Sequence, residues 1–185
     1  MTALAPSALA LVAGGFEVVG VDIVPALVDA ARAAAAARGL RARFDVGPVE
    51  ALDLAPQSFP AIFCPGSVYE HTPTRGRRIA FLKSLARLLA LDGVLILVVG
   101  WNPNQGLRLA VVDALRRALR ACLGERFASE PGDQLIRHVS IASDRHVTCF
   151  YHVFRSPEDI EEEIVAAGLA PERIEGALWL VRRPA

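Results

Sequence analysis

Histidines, cysteines and acids at strand ends are the side chains here that could do chemistry. The three cysteines, Cys64, Cys122 and Cys149, are odd in number, far apart and without a CxxC pair. They predict neither a disulfide framework nor a zinc site, and they suit a reducing cytosol. The four histidines also lack a ligand spacing such as HExxH. We therefore expect no metal site and a cytoplasmic location.

One acid ends a valine-rich run. Phe16–Asp22 predicts a buried strand, and Pro25 then begins an alanine-rich helix that Gly39 ends. A carboxylate at such a strand end can accept hydrogen bonds from both ribose hydroxyls of an adenosine cofactor. It can equally do no more than cap the helix that follows. The residues around Asp22 leave both roles open.

The elements that must position these side chains alternate between strand and helix. Further strands are predicted at Arg41–Val46, Ala61–Cys64, Val94–Val99 and Ala177–Val181. Further helices are predicted at Ile79–Leu91, Leu107–Leu123 and Ser156–Gly168, with a turn at Asp92–Gly93. This alternation predicts an α/β fold, with a mostly parallel sheet covered by helices on both faces. Its length suits a single domain, residues 1–185.

Composition narrows the class of partner. The 20 basic and 20 acidic residues balance, so no overall charge draws the chain to nucleic acid or to an anionic membrane. The longest uninterrupted apolar run, Val94–Val99, is far shorter than the roughly 20 residues that span a bilayer. The composition therefore favours neither nucleic acid nor a membrane as a partner. Ligands of an α/β sheet bind beyond the carboxyl ends of the strands.

Several segments, in order, resemble the class I S-adenosylmethionine-dependent methyltransferases. They are Phe16–Val28, Val46–Leu52, Ser58–Cys64, Gly66–His71, Phe81–Leu95 and Phe154–Gly168. The resemblance covers most of the chain. It implies a Rossmann-like sheet, S-adenosylmethionine as cofactor and methyl transfer to a small molecule, with residues 102–154 as a candidate substrate cap.

The same resemblance implies roles for single residues. Asp22 would bind the ribose, Ile23 would pack on the adenine, and Val49 would line the adenine pocket. The methionine part of the cofactor would be bordered by Cys64, Gly66 and Ser67. The methyl-transfer side would be faced by Tyr69 and His71, the two candidate catalytic residues. Each has a second reading: Tyr69 as a core or lid aromatic, and His71 as a loop histidine bonded to backbone.

The sequence also departs from the family. Aligning Ala8–Leu11 with the family's first helix puts Met1–Ala5 where a GxGxG loop is expected, and the first strand is missing. Pro48 and Pro60 stand where acids are common. Three explanations stay open: a start further upstream, a degenerate relative, or a partner chain that supplies the strand in a homo-oligomer.

Two rival functions remain beside the enzyme. A non-catalytic binding or scaffold domain could keep this fold without the chemistry. A nicotinamide-dependent oxidoreductase would rest on Asp22 alone, since the later segments resemble methyltransferases.

Overall fold

The computed structural model describes residues 4–66, 68–103, 111, 114–115, 118, 130–140 and 145–184. They form two compact units, Met1–Pro56 and Gln57–Ala185. Within these described ranges no helix combines the length and apolar character needed to cross a membrane.

The first unit is a pair of parallel strands packed with two helices. It contains α1 (Leu4–Ala13), β1 (Val19–Asp22), α2 (Pro25–Ala37), β2 (Arg43–Val46) and a 3-10 turn (Val49–Ala51). Leu9, Val28, Ala31 and Phe44 are buried in its core. Because alanine is small, it lets α2 lie close to the strands. The register pairs Asp22 with Val46, so both strands end side by side.

In its described residues the second unit contains a four-stranded sheet, a separate hairpin and two helices. Its elements are β3 (Phe59–Cys64), α3 (Arg75–Leu88), β4 (Leu89–Val98), β5 (Asp133–Ser140), β6 (Arg145–His152), α4 (Pro157–Ala166), β7 (Ala170–Glu175) and β8 (Leu178–Arg182). The sheet order is β3-β4-β8-β7, and β5 pairs with β6. β3 and β4 are parallel, whereas β8 runs antiparallel to both of its neighbours.

An apolar core joins the sheet to the helices in this unit. Trp179 on β8 is fully buried, and its indole N–H donates to the Val99 carbonyl at 3.2 Å. Leu82 of α3 and Ile160 and Ile164 of α4 are fully buried as well. Each such aliphatic side chain contributes about 1.5–3 kcal/mol through burial. These contacts hold the carboxyl end of β4, where a ligand is expected.

The predicted α/β alternation is confirmed, but the sheet pairings are mixed. Beyond the two parallel pairs, β7 and β8 add antiparallel strands at the end of the chain, and β7 was not predicted. α3 begins at Arg75 and ends at Leu88, earlier at both ends than the predicted helix. The first described element is α1, and the expected loss of a first strand and glycine loop stays a prediction.

The predicted turn at Asp92–Gly93 lies inside β4. The β3–β4 register passes from Phe59 opposite Leu89 to Ala61 opposite Val94, so β4 bulges there. A Cβ on Gly93 would lie 2.9 Å from the Leu89 side chain. A glycine is therefore required by this close approach, and a turn is not needed to explain it.

The middle of the chain is described only in part. The predicted helix 107–123 lies almost entirely outside the described residues. The sequence of residues 125–144 has no clear apolar periodicity, yet part of this stretch forms β5 and pairs with β6. The hairpin belongs to the segment expected to cap the substrate. That role, like the single domain, stays a prediction.

We expect Ser156→Ala to lower the free energy of unfolding by about 1 kcal/mol. Ser156 accepts a hydrogen bond from the Asp159 N–H, and Asp159 accepts one from the Ser156 N–H, which forms a capping box at the start of α4. Urea denaturation followed by circular dichroism measures the change. Ser84→Ala on the exposed side of α3 is the matched control, since its hydroxyl only bonds the Ala80 carbonyl one turn back. An equal loss in both variants would contradict the capping role.

Candidate active site

Asp22 stands at the end of β1, as predicted. Its Oδ1 accepts a hydrogen bond from the Val24 N–H at 2.9 Å, which shapes the turn into α2. The side chain is only half-buried. Shaping this turn does not prevent the second carboxylate oxygen from accepting a hydroxyl, so both proposed roles fit its placement.

The residues predicted to hold an adenine lie beside Asp22 in the first unit. Ile23 is 70% exposed, which is unusual for a side chain of this size next to a buried strand. Val49 begins the 3-10 turn after β2 and is half-buried. Gly47 donates its N–H to the Asp22 carbonyl at 3.0 Å, so this turn is fixed to the end of β1. An exposed apolar side chain beside a strand-end carboxylate fits an adenosine.

In the second unit, β3 ends at Cys64. Burial first, and then the negative charge of Glu70, raise the pKa of the Cys64 thiol to about 12. The thiol therefore stays protonated and is a poor nucleophile. Gly66 follows on the exposed loop, where an added Cβ would lie 3.5 Å from Val98. Ser67 lies outside the described residues.

Glu70 is the functional candidate that sequence analysis missed. It is only 3% exposed, and its Oε1 accepts hydrogen bonds at 3.2 Å from the Gly100 N–H and from the Tyr151 hydroxyl. No described group donates to its Oε2. Burial, followed by the charge of Glu70 and its hydrogen bond, raises the pKa of Tyr151 to about 12. A carboxylate is thus held at the carboxyl ends of β3 and β4.

His71 is next in the same loop and is exposed. Its Nδ1–H donates to the Phe150 carbonyl on β6, and its ring meets the Tyr151 ring edge-on at 5.5 Å. This hydrogen bond is the backbone contact of the second reading. With Nδ1 donating to this carbonyl, Nε2 is the ring nitrogen that remains to accept a proton, as a general base requires.

The side chain of Tyr69, unlike that of His71, faces the interior of the unit. It is fully buried, stacks on Phe154 and donates its hydroxyl proton to the Glu163 carboxylate. Burial first, and then the negative charge of Glu163, raise the Tyr69 pKa far above its ordinary value. These contacts favour the core reading of Tyr69, and its catalytic role stays a prediction.

Glu163 belongs to a buried ion pair with Arg78. The Arg78 side chain is 2% exposed, and it binds Glu163 through Nε at 2.9 Å and Nη2 at 2.6 Å. Glu130 accepts from the same Nη2 at 3.1 Å. Burial would lower the Arg78 pKa, but the hydrogen bond and charge of Glu163, helped by Glu130, raise it overall. Arg78 is therefore a permanent buried cation.

Glu130, Asp133 and His152 come close enough to hold a metal ion. Their ligand atoms are already engaged, however. His152 Nδ1 lies 2.7 Å from Asp133 Oδ1, and the other Asp133 oxygen accepts from the Glu130 N–H at 2.6 Å. Glu130 itself accepts from Arg75 and Arg78. The group therefore acts as a hydrogen-bonded network, and the expectation of no metal site stays a prediction.

The sequence and the structure of the chain resemble those of known methyltransferases. The model of a methyltransferase domain family matches residues 4–93. No curated protein matches the chain. A S-adenosylmethionine-dependent methyltransferase from Methanosarcina mazei has a similar structure, with a TM-score of 0.68 and 20% identity over 94% of this chain and 83% of that one.

Two further solved structures share the fold. CalS10, an amino pentose methyltransferase from Micromonospora echinaspora solved with S-adenosylmethionine bound, gives a TM-score of 0.63 and 20% identity over 98% of this chain and 80% of that one. KedS8, a sugar N-methyltransferase from a Streptoalloteichus species, gives a TM-score of 0.54 and 16% identity, over 100% of this chain and 88% of that one.

The Rossmann-like α/β fold with ligand-binding strand ends defines the class of protein. Residues 4–93 match the methyltransferase domain family, and the fold is that of the S-adenosylmethionine-dependent methyltransferases. The resemblance predicted from the sequence is thereby confirmed.

We expect Glu163→Gln to lower the free energy of unfolding by about 3–5 kcal/mol, because Arg78 would keep its charge in a buried site without its main partner. Thermal and urea denaturation measure this loss. Glu162→Gln, one residue away, removes only an exposed 3.4 Å contact with Arg75 and should stay within about 0.5 kcal/mol. If the two variants are equally stable, the buried pair does not organise this unit.

Proposed function

We propose that the chain transfers a methyl group from S-adenosylmethionine to a nucleophilic atom of a small polar molecule. The observation that carries the proposal is the group formed by Glu70, His71 and Tyr151 in the second unit. It stands at the carboxyl ends of β3 and β4, where α/β sheets bind ligands. The family match and the fold support S-adenosylmethionine as the methyl donor.

When bound, S-adenosylmethionine supplies an electrophilic methyl group on a sulfonium with a neutral leaving group. Holding the acceptor in line then contributes most of the acceleration. We assign the ribose to Asp22 and the adenine to Ile23 and Val49, in the first unit. Cys64, Gly66 and Ser67 are proposed to border the methionine part.

The residues proposed to act on the methyl acceptor lie in the loop after β3. Nε2 of His71 is proposed to take the proton that an acceptor amine or hydroxyl must lose, since Nδ1 is held as a donor by the Phe150 carbonyl. Glu70 is proposed to stabilise the positive charge that grows on a methylated nitrogen. A buried carboxylate with one oxygen unengaged among the described groups suits that task.

An amine is therefore the acceptor that the site favours. Two proteins with the same fold are described as an amino pentose methyltransferase and a sugar N-methyltransferase. Both descriptions agree with an amine on a small hydroxylated molecule, and we extend that class to this chain as part of the proposal.

We expect Asp22→Ala to weaken binding of S-adenosylhomocysteine by about 1–3 kcal/mol, because two ribose hydroxyls would lose their acceptor. Calorimetric titration of the 185-residue chain measures the affinity. Asp29→Ala removes an exposed α2 carboxylate paired with Arg32 and should leave it unchanged. Equal affinity in the Asp22 variant and the unmodified chain would contradict the ribose role. If the unmodified chain does not bind, the non-catalytic scaffold becomes the better reading.

We expect Glu70→Gln to lower kcat/KM about a hundredfold for an accepted amine, because the charge that stabilises the product nitrogen is lost. Radiolabelled methyl transfer to a panel of small amines, including D-glucosamine, measures the rate. Affinity for S-adenosylhomocysteine should remain within twofold, which separates this effect from unfolding. Glu175→Gln on exposed β7 serves as the control. A variant as active as the unmodified chain would remove Glu70 from the reaction.

A further inference from the structure

A cavity lies in the second unit beside the loop that carries Glu70 and His71, which we call the acceptor loop. It measures about 360 Å³ and lies among the start of α3, one side of α4 and the chain on either side of the hairpin. That volume is at the lower end of the range for small-molecule pockets. None of the roles proposed above for Glu70, His71 or Tyr151 uses it.

The wall of this cavity holds a buried donor that lacks a partner. Arg78 lines it, and no acceptor among the described residues receives a hydrogen bond from Arg78 Nη1. The other donor nitrogens of this guanidinium, Nε and Nη2, bind Glu163 and Glu130. Leaving a buried donor unpaired costs about 1–3 kcal/mol, so an oxygen acceptor is expected there.

The charge around the cavity determines whether the oxygen that accepts from Arg78 Nη1 is anionic or neutral. The lining contains three guanidinium groups, on Arg75, Arg78 and Arg155. It also contains four carboxylates, on Glu130, Asp159, Glu162 and Glu163. Among these described groups negative charge is in excess by one, and Arg78 already contacts two carboxylates. An anionic ligand would meet repulsion, whereas a hydroxyl or carbonyl oxygen would not.

The outer carboxylates add a second preference. Glu162 has a 69% exposed side chain and contacts Arg75 at 3.4 Å, and Asp159 contacts Arg155 at 3.8 Å. Exposed pairs of this length are weak, so the Glu162 carboxylate can turn to another cation at little cost. Asp159 keeps its place, because it accepts from the Ser156 N–H in the capping box of α4. A protonated amine on the ligand would find a partner at this position.

We infer that this cavity binds a small hydroxylated amine, with a hydroxyl oxygen accepting from Arg78 and the ammonium group beside Glu162. The assignment does not depend on methyl transfer. Its walls adjoin the acceptor loop, since Glu163 accepts from Tyr69 and the His152 N–H donates to the Glu70 carbonyl at 2.8 Å. The cavity is nevertheless a site of its own.

The test is a titration of the ¹⁵N-labelled 185-residue chain followed by two-dimensional NMR. The probes are D-glucosamine as the cation, D-glucose as the neutral analogue and D-gluconate as the anion, at matched salt and with the amine protonated. We expect glucosamine to shift amides of residues 130–133 and 152–163, and to bind roughly two- to fivefold more tightly than glucose. Gluconate should bind most weakly.

Two variants locate the charge preference. Glu162→Gln should reduce the glucosamine preference over glucose to about one. Glu158→Gln changes the same charge on the same helix, but its exposed side chain does not line the cavity, and it should keep the preference. Arg78→Lys retains the charge without Nη1 and should abolish binding of both sugars. Where that variant does not fold, the two glutamate variants decide.

Three results would overturn the inference. Tightest binding of gluconate would show an anion site. Absence of shifts with all three probes would mean that the cavity holds water alone. Shifts confined to residues 70–71 and 151 would place the amine at the acceptor loop, which would support the proposed function while removing the cavity site.

Discussion

Arg78 has a permanent positive charge in the interior of the second unit. The groups that compensate this charge come from several elements and connect them. Glu163 of α4 meets the guanidinium side-on, Glu130 meets it from the segment before β5, and Tyr69 donates to the same Glu163. Two helices, a loop and a hairpin segment therefore converge on one cation. Such a pair adds little net stability over an apolar pair, but it tolerates few alternative arrangements.

These contacts also fix the conformation of the acceptor loop. Tyr69 is drawn inward to Glu163, while the Glu70 backbone accepts from His152 and its carboxylate accepts from Gly100 at the end of β4. The following residue, His71, is left exposed with one ring nitrogen tied to β6. Three consecutive side chains thus lie in different environments: Tyr69 in the core, the Glu70 carboxylate buried beside Tyr151, and the His71 ring exposed. The proposed chemistry needs this division, because the carboxylate would stabilise a positive charge while the imidazole would take a proton.

Local pattern was enough to predict most elements. The valine-rich run ending at Asp22, the apolar spacing of about 3.6 residues on α3 and the capping residues of α4 all involve near neighbours in the chain. β7 was missed because its residues are mostly exposed and polar, so no alternation marks it. The turn expected at Asp92–Gly93 is a bulge in β4. Glycine occurs there because the Leu89 side chain leaves no room for a Cβ atom.

The sequence by itself determined the α/β class, the resemblance to methyltransferases and the placement of Asp22, Ile23 and His71 at strand ends or the loop beyond. These depend on neighbours in the chain, whose spacing is visible in one dimension. Only the tertiary structure decided that Glu70 is buried beside Tyr151, that Tyr69 faces the core and that Arg78 lines a cavity. Those outcomes rest on partners up to 94 residues away, and the environment of a charge is set by what surrounds it in space.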